Sequence, residues 1–255
     1  MSVPRIAFFY WTGGPLPWLR EQALVSFRRH HPDWEVVLGS PERRPVPAGV
    51  RLELDTETDP ALPPAARSDA WRWGVLAARG GVYADTDVVF VRPLDDLLSG
   101  DHDAWITQDF GTEVPAAGYT VGCDSPGGLR HRIPRVRVSI GVLAARAGSQ
   151  FFARLAAAAR GLGPTGDYQG HGTSLVAANW KTATEGLSLG NLPGRAFYGG
   201  WSHHQVRALW AQDAAPGLGE HGVHWYGGSP ESAPFAGAQG IGDLPPCRVR
   251  RAISG

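Results

Sequence analysis

The sequence predicts an α/β domain, and three observations carry that reading. Short apolar, β-rich runs alternate with stretches of helical periodicity. Gly and Pro residues fall at the junctions between them. No internal repeat and no domain linker interrupts the alternation. With 255 residues, 43% of them hydrophobic, the chain can build one large core, and a single domain over residues 1–255 is expected.

The elements follow in order. Arg5 to Trp11 is β-rich and ends at Thr12-Gly13-Gly14-Pro15. Leu16 to His30 has helical spacing, with Leu19, Ala23 and Phe27 on one face. Trp34 to Leu38 reads as a second strand. The Pro-rich, charged stretch from Pro41 to Pro64 reads as loop with a short strand near Val50 to Leu54. Pro63-Pro64 opens a helix that runs to Arg79, with Ala66, Ala70, Trp73 and Ala77 as its apolar stripe, and Gly80-Gly81 closes it. Val82 to Ala84 and Val88 to Val91 are strand-like, as is Trp105 to Gln108. Gly111 to Arg135 shows no periodicity and reads as a long loop of the kind that carries function. Arg137 to Ala145 reads as a strand, Ser149 to Arg160 as an Ala-rich helix, and Thr173 to Trp180 as another helix. Beyond it the signal is weak until Gly222 to Tyr226.

Composition excludes several classes. Acidic and basic residues balance at 24 each, so no basic face for a nucleic acid is implied. The longest early apolar run, Ile6 to Trp11, is too short for a signal peptide or a membrane span, and a soluble, cytoplasmic protein is expected. Two cysteines, Cys123 and Cys247, suggest no disulfide framework. Lys181 is the sole lysine; the Arg, Ala, Gly and Pro bias reads as that of a GC-rich bacterial genome.

The chemistry concentrates between Ala66 and Val91. Asp85 and Asp87 stand at i and i+2 within an apolar stretch, where two carboxylates are costly unless a cation faces them. A divalent metal with oxygen ligands suits them, and an extended strand would point both the same way. A bare Asp-X-Asp is common at strand ends. What distinguishes this one is the preceding helix, where Ser68, Asp69 and Arg72 share a face. Hydroxyl, carboxylate and guanidinium together can orient a sugar's hydroxyls.

Ser68-Asp69-x-x-Arg72 followed by Gly80-Gly81-Val82-Tyr83-x-Asp85-x-Asp87 resembles the retaining glycosyltransferases with a sugar-binding DXD motif, the group of the yeast-type initiating mannosyltransferases and the clostridial glucosylating toxins. Ile6 to Gly14, with Trp11, resembles that group's first strand, where a Trp packs on the nucleotide base. His224-Trp225-x-Gly227-Gly228-Ser229 resembles its closing motif, which brings a further metal ligand. The chain departs from the group in reading Ser139-Ile140-Gly141 where an Asn is usual, Gln169-Gly170-His171-Gly172-Thr173 near the usual Thr-Gly-Pro turn, and Pro230 after Ser229.

The resemblance implies a GT-A-type nucleotide-diphospho-sugar transferase fold, a mixed central sheet flanked by helices. It implies a metal-dependent retaining enzyme using Mn²⁺ or Mg²⁺ and a nucleotide-sugar, UDP-sugar favoured and GDP-sugar second, with an unidentified acceptor. Asp87 is expected on the metal and Asp85 on the metal, its water or the ribose, with His224 completing the metal set. Asp69, Arg72, Ser68, Tyr83 and Ser229 are expected on the substrate, and Trp11 either on the base or in the core. His171, His203 and His204 have no supporting context. The rivals are a nucleotide-sugar hydrolase or nucleotidyltransferase on the same fold, a haloacid-dehalogenase-type phosphatase, and a non-catalytic sugar-binding module. The phosphatase needs a downstream lysine, and Lys181 falls at the end of an expected helix.

Overall fold

The computed structural model describes residues 2–107, 120–122, 130–132, 138–198, 203–211 and 219–255. In chain order its elements are β1 (Ile6–Tyr10), α1 (Trp18–His30), β2 (Glu35–Ser40), β3 (Val50–Leu54), α2 (Pro64–Arg79), β4 (Gly81–Ala84), β5 (Val88–Phe90), β6 (Ala104–Thr107), β7 (Thr120–Gly122), β8 (Arg130–Arg132), β9 (Ser139–Ala145), α3 (Gln150–Arg160), α4 (Thr173–Thr184), β10 (Leu189–Asn191), α5 (Gly194–Phe197), α6 (His203–Trp210), β11 (Gly222–His224) and α7 (Arg248–Ser254). They fall into two compact units that interleave along the chain. One comprises Met1–Pro4, Glu57–Gly81 and Gly100–Leu192; the other comprises Arg5–Thr56, Val82–Ser99 and Pro193–Gly255.

In the second unit β1 is the hub of a parallel array. It pairs with β2 on one side, Ile6 opposite Glu35, and with β4 on the other, Phe8 opposite Tyr83. β3 extends the array beyond β2. Every residue of β1 is buried, which is why Ile-Ala-Phe-Phe-Tyr is a continuous apolar run rather than an alternating one. Helix α1 buries Leu19, Ala23, Leu24 and Phe27, the stripe read from spacing plus Leu24. It ends at His31, whose Nε2 accepts the Leu94 N–H at 3.0 Å. β5 pairs antiparallel with β11, Val89 opposite Val223. A core of Leu19, Val89, Trp210, Val223, Trp225, Val249 and Ile253 lies against this pair.

In the first unit β6 pairs antiparallel with β9 and parallel with β10. Parallel and antiparallel pairings therefore both occur, as the expected mixed α/β class requires. Helix α2 starts at Pro64, where its missing N–H costs nothing, and ends at Gly80 with φ +64°. A Cβ on Gly80 would stand 2.4 Å from the Arg146 carbonyl carbon, so glycine is required on two counts. α2 buries Asp69 and Arg72 along with Ala66 and Trp73, whereas Ala70 and Ala77 are only half-buried.

Several boundaries shift. α4 runs past Trp180 to Thr184. The expected Gly111–Arg135 loop contains β7 and β8, paired antiparallel; its other residues lie outside the described ones. Gln108, Arg137 and Cys123 do too, so any pairing of Cys123 with the buried Cys247 is not described. Helices α5, α6 and α7 have no counterpart in the sequence reading. Among the described residues no helix is long and apolar enough to cross a membrane.

The first unit is tied together by Asp103, 3% exposed. Its carboxylate accepts the Gln150 and Phe151 N–H groups at 3.1 and 2.9 Å, the Ser149 hydroxyl at 2.7 Å and the Arg146 guanidinium at 3.0 Å. Burial pushes its pKa up, but the bonds from Phe151, Ser149, Gln150 and Arg146 outweigh that and hold it below the ordinary value. Asp103→Ala should therefore cost about 3–6 kcal/mol at neutral pH, its two backbone bonds at the α3 N-terminus being worth roughly 1.5–3 kcal/mol each. A depressed folded-state pKa makes this stability present above the ordinary carboxylate value and lost as pH falls through the folded one. Urea unfolding of both proteins should show the gap at pH 7 and its shrinkage below about pH 4.

Candidate functional site

Asp85-Thr86-Asp87 links β4 to β5 as a tight turn, closed by the Val88 N–H donating to the Asp85 carbonyl at 3.2 Å. This corrects the expectation of an extended strand. The two acids share a side of the chain because the turn folds them together, and strand alternation has no part in it.

Asp87 is 8% exposed, and its partners come from three segments. His224 on β11 places Nε2 3.0 Å from Oδ1. The Gly227 N–H donates to Oδ2 at 2.7 Å, and Arg20 Nη1 stands 3.5 Å from the same oxygen. The Trp225 N–H donates to the Asp87 carbonyl at 2.9 Å. Burial alone would raise the Asp87 pKa; the charges of His224 and Arg20 and the bonds from His224 and Gly227 overcome it and hold the carboxyl well below the usual range. Asp85, half-buried, completes a cluster in which ligand atoms of Asp85, Asp87 and His224 all lie within 4.8 Å of one another. Donors on opposite sides of one hard cation stand roughly 4–5 Å apart, so two carboxylates and an imidazole at this spacing fit a divalent ion. His224 Nδ1 is buried with no hydrogen-bond partner among the described residues.

The closing segment is bent to reach Asp87. Tyr226 has φ +51°, the only positive value among described non-glycine residues, and this bend aims the N–H of the following Gly227 at the carboxylate. Its phenol is pushed above the ordinary value by burial, Tyr198 and Asp87, so it stays protonated. Tyr198 and Tyr226 flank the His224 ring at centroid distances of 5.4 and 4.2 Å.

Other expected residues take varied places. Trp11 is half-buried, with Nε1 donating to the Gly14 carbonyl at 3.2 Å and the Arg20 guanidinium 5.2 Å from its ring centre. Tyr83 is 1% exposed inside β4. Ser229 turns towards the chain end, its hydroxyl 3.3 Å from that of Ser232. In the first unit, Arg72 Nη2 stands 2.9 Å from Asp69 Oδ1 and 3.4 Å from Ser68 Oγ, and Nη1 donates to the Ile140 carbonyl at 2.6 Å. A Cβ on Gly172 would stand 2.7 Å from Asp69 Oδ2 and 3.1 Å from Gln169 Oε1. The two stretches noted for departing from the family pattern, 139–141 and 169–173, thus both come to the Asp69–Arg72 pair. His171 is buried, its carbonyl accepting the Trp73 indole N–H at 2.9 Å; the side chains of His203 and His204 lie outside the described residues.

Sequence reasoning missed Arg20, Tyr226 and the Gly227 N–H. Arg20 contacts Thr86 from 66 positions away, and nothing in its helical spacing marks it. It also missed that an arginine, with no lysine nearby, balances Asp87.

Residues 19–108 match the family described as the glycosyltransferase sugar-binding region containing DXD motif. Ser68, Asp69, Arg72, Tyr83, Asp85 and Asp87 lie within the match; Trp11, His224 and Ser229 lie outside it. No match was found among the curated proteins. Among solved structures, the chain is similar to the PaToxG glycosyltransferase at 12% identity, covering 71% of this chain and 70% of that one, with a TM-score of 0.47. It is similar to the glycosyltransferase GlyE of Streptococcus pneumoniae TIGR4 at 12% identity and a TM-score of 0.47, covering 88% of this chain but only 55% of that one. A third likeness, at 18% identity and a TM-score of 0.40, is to the 2-C-methyl-D-erythritol 4-phosphate cytidylyltransferase of Thermus thermophilus, covering 77% and 90%.

The buried pair in the first unit makes a separate stability prediction. Asp69 and Arg72 are 5% and 4% exposed. Arg72→Met removes the cation beside a buried carboxylate and should cost about 3–5 kcal/mol, the usual penalty for breaking a buried ion pair from one side. Chemical unfolding measures it, and a loss under about 1 kcal/mol would show the pair to be solvated.

Proposed function

We propose that this protein, whose residues 19–108 match the glycosyltransferase sugar-binding region, is a metal-dependent, retaining glycosyltransferase, residues 1–255 forming one catalytic domain. It moves a sugar from a nucleotide-sugar, UDP-sugar by preference and GDP-sugar second, to an acceptor in the cytoplasm. The observation that carries this is the convergence of Asp85, Asp87 and His224, whose donor atoms lie within 4.8 Å although His224 is 137 positions from Asp87.

These three residues would hold Mn²⁺ or Mg²⁺. When bound, such an ion neutralises charge on a departing diphosphate. The chain's own groups do the rest. Gly227 and Arg20 hold Asp87 Oδ2, which leaves Oδ1 turned towards His224. The depressed Asp87 pKa keeps it an anion throughout the neutral range. Asp69 and Arg72, with Ser68, are assigned to the donor sugar's hydroxyls, and Trp11 to the nucleotide base. Tyr83 and Ser229 stay assigned to the substrate. The acids placed in the chain's two clusters are all assigned to the donor or the metal. No acceptor-side base is assigned, and same-face attack assisted by the leaving phosphate is the simpler route.

Mn²⁺ should raise UDP affinity, measured by calorimetry, and Asp87→Ala should abolish that increment. Equal binding in chelator, or an unaffected Asp87→Ala protein, would remove the metal from the mechanism. Nucleotide release that requires an acceptor separates transfer from hydrolysis.

An α-linked UDP-sugar should give an α-linked product, read from the anomeric proton coupling by NMR. A β-linked product would end the retaining assignment.

A further inference from the structure

Arg20 sits on α1 and is used by its neighbours in an incomplete way. Its guanidinium lies between two indoles, 5.2 Å from the Trp11 ring centre and 4.8 Å from that of Trp225. Nη1 donates to Thr86 Oγ1 at 3.2 Å and stands 3.5 Å from Asp87 Oδ2. Nε and Nη2 donate to no protein group among the described residues, yet the side chain is only 19% exposed. The space for it is kept open by Gly227, where a Cβ would fall 2.1 Å from Nη2 and 2.9 Å from the Trp225 ring. Two stacked faces and a glycine thus fix a planar fork of donors beside the carboxylates, with donors left over.

The charge count explains the remainder. Asp85 and Asp87 balance a divalent cation between them, and an imidazole ligand such as His224 brings a nitrogen lone pair and no negative charge. Once the ion is in place, Arg20 is a held positive charge without a counter-ion at the cluster. A cation fixed next to a metal ion is repelled by it unless an anion joins both. The anion that a sugar-nucleotide site receives is a dianionic pyrophosphate. Arginine's planar donors match phosphate oxygens two at a time.

We propose that Arg20 binds the pyrophosphate of the nucleotide, trading its contact with Asp87 for phosphate oxygens when the ion is bound. This rests on the function proposed above and adds a residue to it.

The test compares wild type, Arg20→Met and Arg20→Lys for binding of UDP with Mn²⁺, of Mn²⁺ alone, and of uridine by ligand-observed NMR. Arg20→Met should weaken UDP about ten- to a hundred-fold, the worth of a charged hydrogen bond or two. Uridine should bind as before, and Mn²⁺ alone should bind unchanged or more tightly, because a repelling charge is gone. Arg20→Lys should recover part of the UDP loss. Undiminished UDP affinity in Arg20→Met overturns the proposal. So does an equal loss for uridine, which would mean that the arginine only props Trp11, and so does weaker binding of Mn²⁺ alone, which would mean that it only holds Asp87. If Arg20→Met does not fold, Arg20→Lys decides: a several-fold loss confined to UDP supports the proposal and no loss refutes it. Wild type that binds neither UDP nor GDP fails the function itself, a result distinct from all of these.

Discussion

The site depends on keeping one carboxylate, Asp87, ionised inside the protein. The effective penalty for burying a charge is several kcal/mol, and a single charged hydrogen bond returns only about 1.5–3 kcal/mol. No single partner suffices. The structure supplies several: the His224 ring, the Gly227 N–H and the Arg20 guanidinium, with the Trp225 N–H on the carbonyl of the same residue. These come from α1, from β11 and from the segment after β11. Pairing of β11 with β5, His224 opposite Val88, is what sets the imidazole beside the turn. The fold of this unit and the electrostatics of Asp87 are therefore one problem with one solution.

How legible this was depended on whether a feature is local. The buried strand β1, the α1 stripe, the α2 start at Pro64 and its stop at Gly80 are written in neighbouring residues, and the structure places them as read. The meeting of Asp85, Asp87 and His224 was legible only through a motif, and the strand alternation read from the i, i+2 spacing does not hold: the acids meet in a turn closed by Val88 and Asp85. Arg20 was illegible. Its position next to Leu19 and three before Ala23 marks it as the flank of an apolar stripe, and what gives it a role is Thr86, 66 positions away. The C-terminal helices were illegible for a different reason. α5 and α6 are four and eight residues long, too short for a period to show.

The Asp69–Arg72 pair shows the limit of periodicity in another way. A helical wheel assigns α2 an apolar stripe of Ala66, Ala70, Trp73 and Ala77, with Ser68, Asp69 and Arg72 sharing a separate face. In the structure the pair is as buried as Ala66, because the Ile140 carbonyl and the Gly172 backbone come to it. Polar residues can sit in a core face wherever backbone groups arrive to meet them. Only the tertiary fold shows that such groups arrive.

The closing segment shows why its sequence can be short and still distinctive. Tyr226 takes a left-handed conformation that costs a non-glycine residue about 1–3 kcal/mol, and it does so next to a glycine that could have taken that conformation more easily. The placement follows from what each residue must do. A Cβ at position 227 would fall 2.1 Å from Arg20 Nη2 and 2.9 Å from the Trp225 ring, so glycine there lets the guanidinium keep its place. Position 226 can carry a side chain, and its ring lies 4.2 Å from that of His224, so the strain sets an aromatic wall against the imidazole. Position 225 donates its backbone N–H to Asp87 and lays its indole on Arg20. Backbone geometry, more than side-chain chemistry, thus dictates the order His-Trp-Tyr-Gly, and each of the four residues bears on Asp87 or on the arginine beside it.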